Sequence, residues 1–237
     1  MTYKLGALPP QRPYGLATLG TYSKGRLPAP PAKCPVPRSV TSWGMMDNDR
    51  LGCCTVSGVG HAIQAWNAEM AQRDTVPTDA EIETEYFELT GGADAGCVEA
   101  DVLAQWHKHG LFGHRIAGYA PIEPHDLVGL HSAIAFYGAA YLGVALPASA
   151  QEQFAAGQAW TVVQKSPIEG GHCVLAVGYD QNYVQIVTWG KIVNVSYPWL
   201  ATYMTECWAI LSHQAVAAGH DGAGIDVASL QADLAKL

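Results

Sequence analysis

Apolar residues along the chain follow first a helical and then a strand period, with the change near residue 116. Val56, Val59, Ile63, Trp66 and Met70 recur at the spacing that places side chains on one face of a helix opening at Cys54. Pro77-Thr78-Asp79-Ala80-Glu81-Ile82-Glu83 supplies a cap and early acids, which predicts a second helix ending near Leu89, before Thr90-Gly91-Gly92. A third is expected from about Glu99 to His109, with Val102, Leu103 and Trp106 inward and Gly110 as its stop. Beyond it, Ile116 to Ala120 reads as a short strand, Pro124 to Tyr137 as a helix and Ala139 to Leu146 as a strand.

The run Cys173 to Gly178 is continuously apolar, as in a strand buried on both faces, and His172 stands where it begins. Tyr183 to Thr188 is its hairpin partner across Asp180-Gln181-Asn182. Val193 to Ser196 and Trp208 to Leu211 complete the sheet, with a short helix at Pro198 to Tyr203. The expected class is α+β, a helical lobe packed against an antiparallel sheet or half-barrel lobe.

Three parts are expected: residues 1–45, the domain proper at 46–212, and residues 213–237. Pro9, Pro10, Pro13, Pro28, Pro30, Pro31, Pro35 and Pro37 make the first an extended arm, neither helix nor hairpin. Tyr14, Leu16, Leu19, Tyr22 and Leu27, spaced along it, suit packing across its own domain or reaching a neighbouring subunit. A disordered leader and a propeptide over a cleft are the alternatives, although the arm lacks the charged helices that propeptides usually have. In the last part Gly219, Gly222 and Gly224 read as a linker. Asp226 then caps a short helix whose Leu230, Leu234 and Leu237 form an apolar stripe needing a partner surface, on the domain or on another chain.

A chain of 237 residues with 49% hydrophobic content can bury one substantial core or two closely packed lobes. The net charge of -8 and the lack of a basic cluster argue against a nucleic-acid partner. No apolar run is long enough to span a membrane, and the start Met1-Thr2-Tyr3-Lys4-Leu5-Gly6 does not read as a secretory signal, so synthesis in the cytoplasm and free thiols are expected. The six cysteines, at 34, 53, 54, 97, 173 and 207, contain no Cys-x-x-Cys pair, so neither a zinc site nor any cofactor is called for. Core packing is expected for Cys34, Cys97, Cys173 and Cys207. A vicinal disulfide between Cys53 and Cys54 is an alternative that would abolish nucleophilicity. His107, His109 and His114 have no carboxylate or cysteine at ligand spacing and read as a solvated helix end.

The candidate chemistry lies in two segments, Asn48-Asp49-Arg50-Leu51-Gly52-Cys53-Cys54-Thr55 and Gly170-Gly171-His172-Cys173-Val174-Leu175-Ala176-Val177-Gly178-Tyr179. A thiol in the first turn of a helix has its thiolate stabilised by the helix N-terminus, and an imidazole can act as its base. Together the segments resemble the papain-like cysteine peptidases. The resemblance implies Cys54 as nucleophile, His172 as base, and Asn48, six residues before Cys54, in the place of the glutamine that helps form the oxyanion hole. Thr188-Trp189-Gly190 looks like that family's Asn-Ser-Trp-Gly, but Val187 or Thr188 stands where the orienting asparagine belongs, so the third triad member is missing or replaced. The nucleophile signature is reduced too, with no aromatic after Cys54.

Val40 to Met46, Asp101 to Trp106, Tyr141 to Pro147 and Glu206 to Leu211 extend the resemblance to small papain-like proteins of phages and prophages. Two functions follow as expectations. The first is a virion or head-associated assembly component that keeps the dyad and contacts other subunits through the arm and the C-terminal helix. The second is an active cysteine hydrolase, a peptidase or amidase, with a peptide as substrate.

Overall fold

The computed structural model describes residues 3–69, 76–213, 216 and 224–237; Met70, Gly219 and Gly222 lie outside them. Six strands, β1 Ile116–Ile122, β2 Ala140–Pro147, β3 Ile168–Tyr179, β4 Tyr183–Thr188, β5 Lys191–Ser196 and β6 Met204–Ser212, form one antiparallel sheet in the order β1-β6-β2-β3-β4-β5. The side chains of the two central strands, β2 and β3, are buried throughout 140–144 and 172–179. With the helices α1 Leu19–Ser23, α2 Cys54–Glu69, α3 Asp79–Leu89, α4 Glu99–Lys108, α5 Leu127–Tyr137, α6 Ala148–Ala155, α7 Tyr197–Tyr203 and α8 Val227–Leu234, this is the α+β architecture expected.

β3 begins four residues earlier than the apolar run suggested, so His172 lies inside the strand and pairs with Val144 of β2. Segment 168–171 carries Glu169 and two glycines, a composition that hides a strand from pattern reading. The arm is not extended throughout. Thr18 caps the single turn α1, its hydroxyl accepting from the Thr21 N–H.

α2 departs most from its pattern. Residues 54–63 are buried on every side, polar Thr55, Ser57 and His61 included. Ser57 and His61 find main-chain partners in the segment before the helix: Ser57 Oγ donates to the Met46 carbonyl at 2.9 Å and His61 Nε2 lies 2.8 Å from the Gly44 carbonyl oxygen. On the sheet side, a Cβ at Gly58 would fall 2.8 Å from the Tyr141 ring and 3.2 Å from Cys173 Sγ. Only glycine lets the helix come this close to β2 and β3. Thr78 and Glu81 form a reciprocal capping box at the start of α3. Trp66 of α2 stacks on Trp106 of α4 at 5.4 Å, which ties the helical side together.

Two of the three residues of the C-terminal stripe are covered within the chain, and the third, Leu237, is exposed. Leu230 and Leu234 of α8 pack on β1 at Gly118, and Tyr22 of the arm donates its hydroxyl to Asp233 at 2.9 Å.

Candidate active site

Cys54 is the first residue of α2, and the Cys53 carbonyl accepts the first helical hydrogen bond, from the Ser57 N–H at 2.9 Å. The Cys54 main-chain N–H therefore has no partner within the helix, and it lies at the positive end of the helix dipole. The turn leading to it is strained: Met46 and Asp47, neither of them glycine, have φ of 55° and 54°. It is pinned by Asp79, which accepts from the Met46 N–H at 3.0 Å, and by a two-pronged Arg50–Asp47 pair. Asn48 sits in this turn, buried, with its Oδ1 unpaired. Cys53 and Cys54 are both free thiols. Cys53 faces Met46 and Ser57, at 3.4 Å from each.

His172 is fully buried, and its Nε2 lies 2.7 Å from Thr188 Oγ1. The register explains the pair. Leu175 faces Val187 across β3 and β4, which sets Thr188 on the same face as His172, one diagonal step away, and turns Val187 to the other face. Of the two candidates for the orienting position, Thr188 is the residue in contact. The hairpin loop Trp189-Gly190 has positive φ at both residues, 46° and 70°, the backbone of a tight primed turn. It lays the Trp189 indole on the imidazole, at 4.7 Å and 20°. The Nδ1 of His172 makes no hydrogen bond.

The Cys54 thiol touches the main chain of Cys173, the residue after His172, at the junction of α2 and β3. It also touches the main chain of Gly6. Residues 3–8 of the arm run between the two walls of this junction as an extended strap. The Ala7 N–H donates to the Gly171 carbonyl at 3.1 Å, the Leu8 N–H to the Cys97 carbonyl at 3.0 Å and the Cys97 N–H to the Gly6 carbonyl at 2.9 Å. A Cβ on Gly6 would lie 1.8 Å from the Gly52 carbonyl oxygen. The fit leaves no room for a side chain there.

Burial sets the electrostatics. Desolvation pushes the Cys54 thiol up to about 12, against the smaller opposite pull of the Cys173 and Gly6 main chains, and pushes His172 down to about 3. With the strap in place, both groups are neutral at pH 7. Sequence reasoning singled out Cys54, His172, Asn48 and the Trp189-Gly190 turn but not the strap, whose contacts here are made by main chain, without a local pattern.

Among solved structures, xylellain, a cysteine protease from Xylella fastidiosa, superposes with a TM-score of 0.68 over 88% of this chain and 96% of its own, at 17% identity. The chain has a papain-like fold. The cysteine protease and lectin-like domains of Cwp84, a surface layer associated protein of Clostridium difficile, superpose with a TM-score of 0.52 at 12% identity, over 78% of this chain and 54% of that one. No family model matches the chain, and no curated protein matches it. At these identities the likeness concerns the fold, and the chemistry rests on the residues themselves.

Proposed function

We propose that the protein is a thiol hydrolase that acts on extended peptides, with its cleft closed in cis by residues 3–8. The observation that carries this reading is a peptide segment in extended hydrogen-bonded form lying against a thiol at a helix N-terminus, at the strand that carries a buried imidazole with one unpaired nitrogen. In the tautomer this reading assigns, His172 donates its Nε2–H to Thr188 Oγ1, 2.7 Å away, which leaves Nδ1 bare and able to take the Cys54 proton. The sulfur attacks the carbonyl carbon, and the oxyanion is met by the Cys54 main-chain N–H and by Asn48. His172 then returns the proton to the leaving amine, and water releases the acyl group by the same route in reverse. In this scheme Thr188 takes the orienting place of the missing asparagine.

The assembly reading drew on an arm and a C-terminal helix free to meet other subunits. Here α1, α8 and β1 pack on one another, so neither segment lends that reading support. The test is peptide hydrolysis by the full chain carrying Gly6→Val, whose clash with Gly52 displaces the strap. Cleavage that vanishes with Cys54→Ser and with His172→Ala is the expected result; cleavage untouched by either, or none from any peptide, refutes the reading.

A further inference from the structure

Residues 3–8 are a peptide already seated in the groove, and each of their contacts identifies a part of the chain that grips it. The Gln151 carboxamide holds both main-chain groups of Tyr3: the Tyr3 N–H donates to Oε1 at 2.6 Å and Nε2 donates to the Tyr3 carbonyl at 3.3 Å. Gln151 is itself buried and aimed by Glu169, whose Oε2 accepts from Nε2 at 2.8 Å. The Tyr3 ring stacks on Trp189 at 4.5 Å and 16°, with the edge of Phe154 at 5.4 Å.

Next along the groove, the Lys4 ammonium pairs with Asp94. The other Asp94 oxygen accepts from the Gly52 N–H at 2.9 Å and from the Tyr86 hydroxyl at 2.7 Å. A carboxylate anchored by two donors, one of them two residues before the nucleophile, cannot turn away from the groove. Two positions after Lys4, the residue against Gly52 and Cys54 is glycine by steric necessity.

We propose that the cleft is a receptor for an extended peptide in the order aromatic, basic, apolar, glycine, the third place being that of Leu5, half-buried over Gly170, and that Asp94 is the residue that selects the basic side chain. The proposal rests on the reading of the cleft as a peptide site and names the class of peptide. Trp189 supplies the aromatic platform, Gln151 reads the backbone whatever the side chain, and the glycine walls exclude a Cβ beside the thiol. Recognition by exclusion and by an anchored charge gives discrimination as well as affinity.

The test is titration of the full chain carrying Gly6→Val and Cys54→Ser with the synthetic peptide Thr-Tyr-Lys-Leu-Gly-Ala-Leu, followed by calorimetry. Saturable binding is expected. Changing the peptide's glycine to alanine should abolish it, and changing its lysine to glutamate or its tyrosine to alanine should each weaken it at least tenfold. A peptide that does not bind, or altered peptides that bind within twofold of the original, overturns the proposal. Should the Gly6→Val chain fail to fold, the full chain with Lys4→Glu or Tyr3→Ala serves, both changes lying on the strap. Cys54 should then be alkylated at least threefold faster than in the native chain, and an unchanged rate overturns the proposal. Because the serine variant needs no turnover, selective binding without hydrolysis by the native thiol retracts the hydrolase reading alone. Hydrolysis without peptide preference retracts only the selectivity.

Discussion

The two ends of the N-terminal arm are held in opposite ways. Around α1, Leu16, Leu19 and Tyr22 are buried, and the anchor extends to α8, where the Asp226 N–H donates to the Tyr22 carbonyl at 2.9 Å. In the cleft, residues 4–8 bury only Gly6 fully, and they are held by main-chain hydrogen bonds to Gly171 and Cys97. Apolar burial is strong and indifferent to what else might fill the site. Main-chain pairing in a glycine-lined groove is what any suitable extended peptide can reproduce. The first end suits a permanent anchor, and the second suits an exchangeable occupant.

The largest effect expected from this contrast is in the anchor. Leu19→Ala should lower unfolding stability by about 3 kcal/mol in urea, the usual cost of emptying a buried leucine site. A loss under about 1 kcal/mol would mean that α1 is not anchored by its core contacts. On the cleft side, Thr188→Val leaves the buried His172 Nε2 without its partner and should cost about 1–2 kcal/mol, while Thr188→Ser keeps the hydroxyl and restores most of it. If serine behaves like valine, the hydroxyl has no part in holding the imidazole.

Acid should separate the two ends. A histidine whose folded pKa lies below the ordinary value contributes stability above about 6.5, and that contribution is lost as pH falls through 6.5 toward the folded value, here about 3. Charging His172 in a closed cleft favours opening. Asp226 and Asp233 of the anchor are held low, chiefly by Lys24 and by Lys236 respectively, so their contribution persists until pH falls below the ordinary aspartate range. Between pH 7 and pH 5 the Ala7 and Leu8 amides should therefore gain exchange rate, corrected for intrinsic chemistry, relative to the Asp226 amide. Equal changes at both ends would remove the distinction. The smallest effect is at the rim of the anchor: Lys24→Ala removes an exposed pair with Asp226 and should leave the unfolding midpoint unchanged within error.

This contrast also marks what the sequence made legible. Of the packing positions marked by residue type and spacing, Leu16, Leu19, Tyr22, Leu230 and Leu234 are buried and Leu27 is half-buried, whereas Tyr14 and Leu237 are exposed. Local pattern placed Cys54 at a helix start and His172 in a buried strand, while their pairing as a candidate site came from the resemblance to papain-like peptidases. Thr188 could be narrowed to two positions, and the β3–β4 register decided between them. The strap was hidden, since Gly6, Ala7 and Leu8 act through their backbones, and the backbone carries no mark in sequence. The apolar period of α2 marked one buried face, and the burial of Ser57 and His61 on the others was not legible, since main chain from residues 44–46 satisfies them in the interior.

The central claim is that residues 3–8 close a competent thiol site. It is tested most directly by the alkylation rate of Cys54 at pH 7, followed by mass spectrometry, in the native full chain and in the same chain with Gly6→Val. Displacing the strap readmits water, returns the thiol from about 12 toward its ordinary value near 8.5, and should accelerate labelling of Cys54 at least tenfold over that of Cys173 and Cys207. Equal rates in the two proteins, or labelling spread evenly over the buried cysteines, would contradict it.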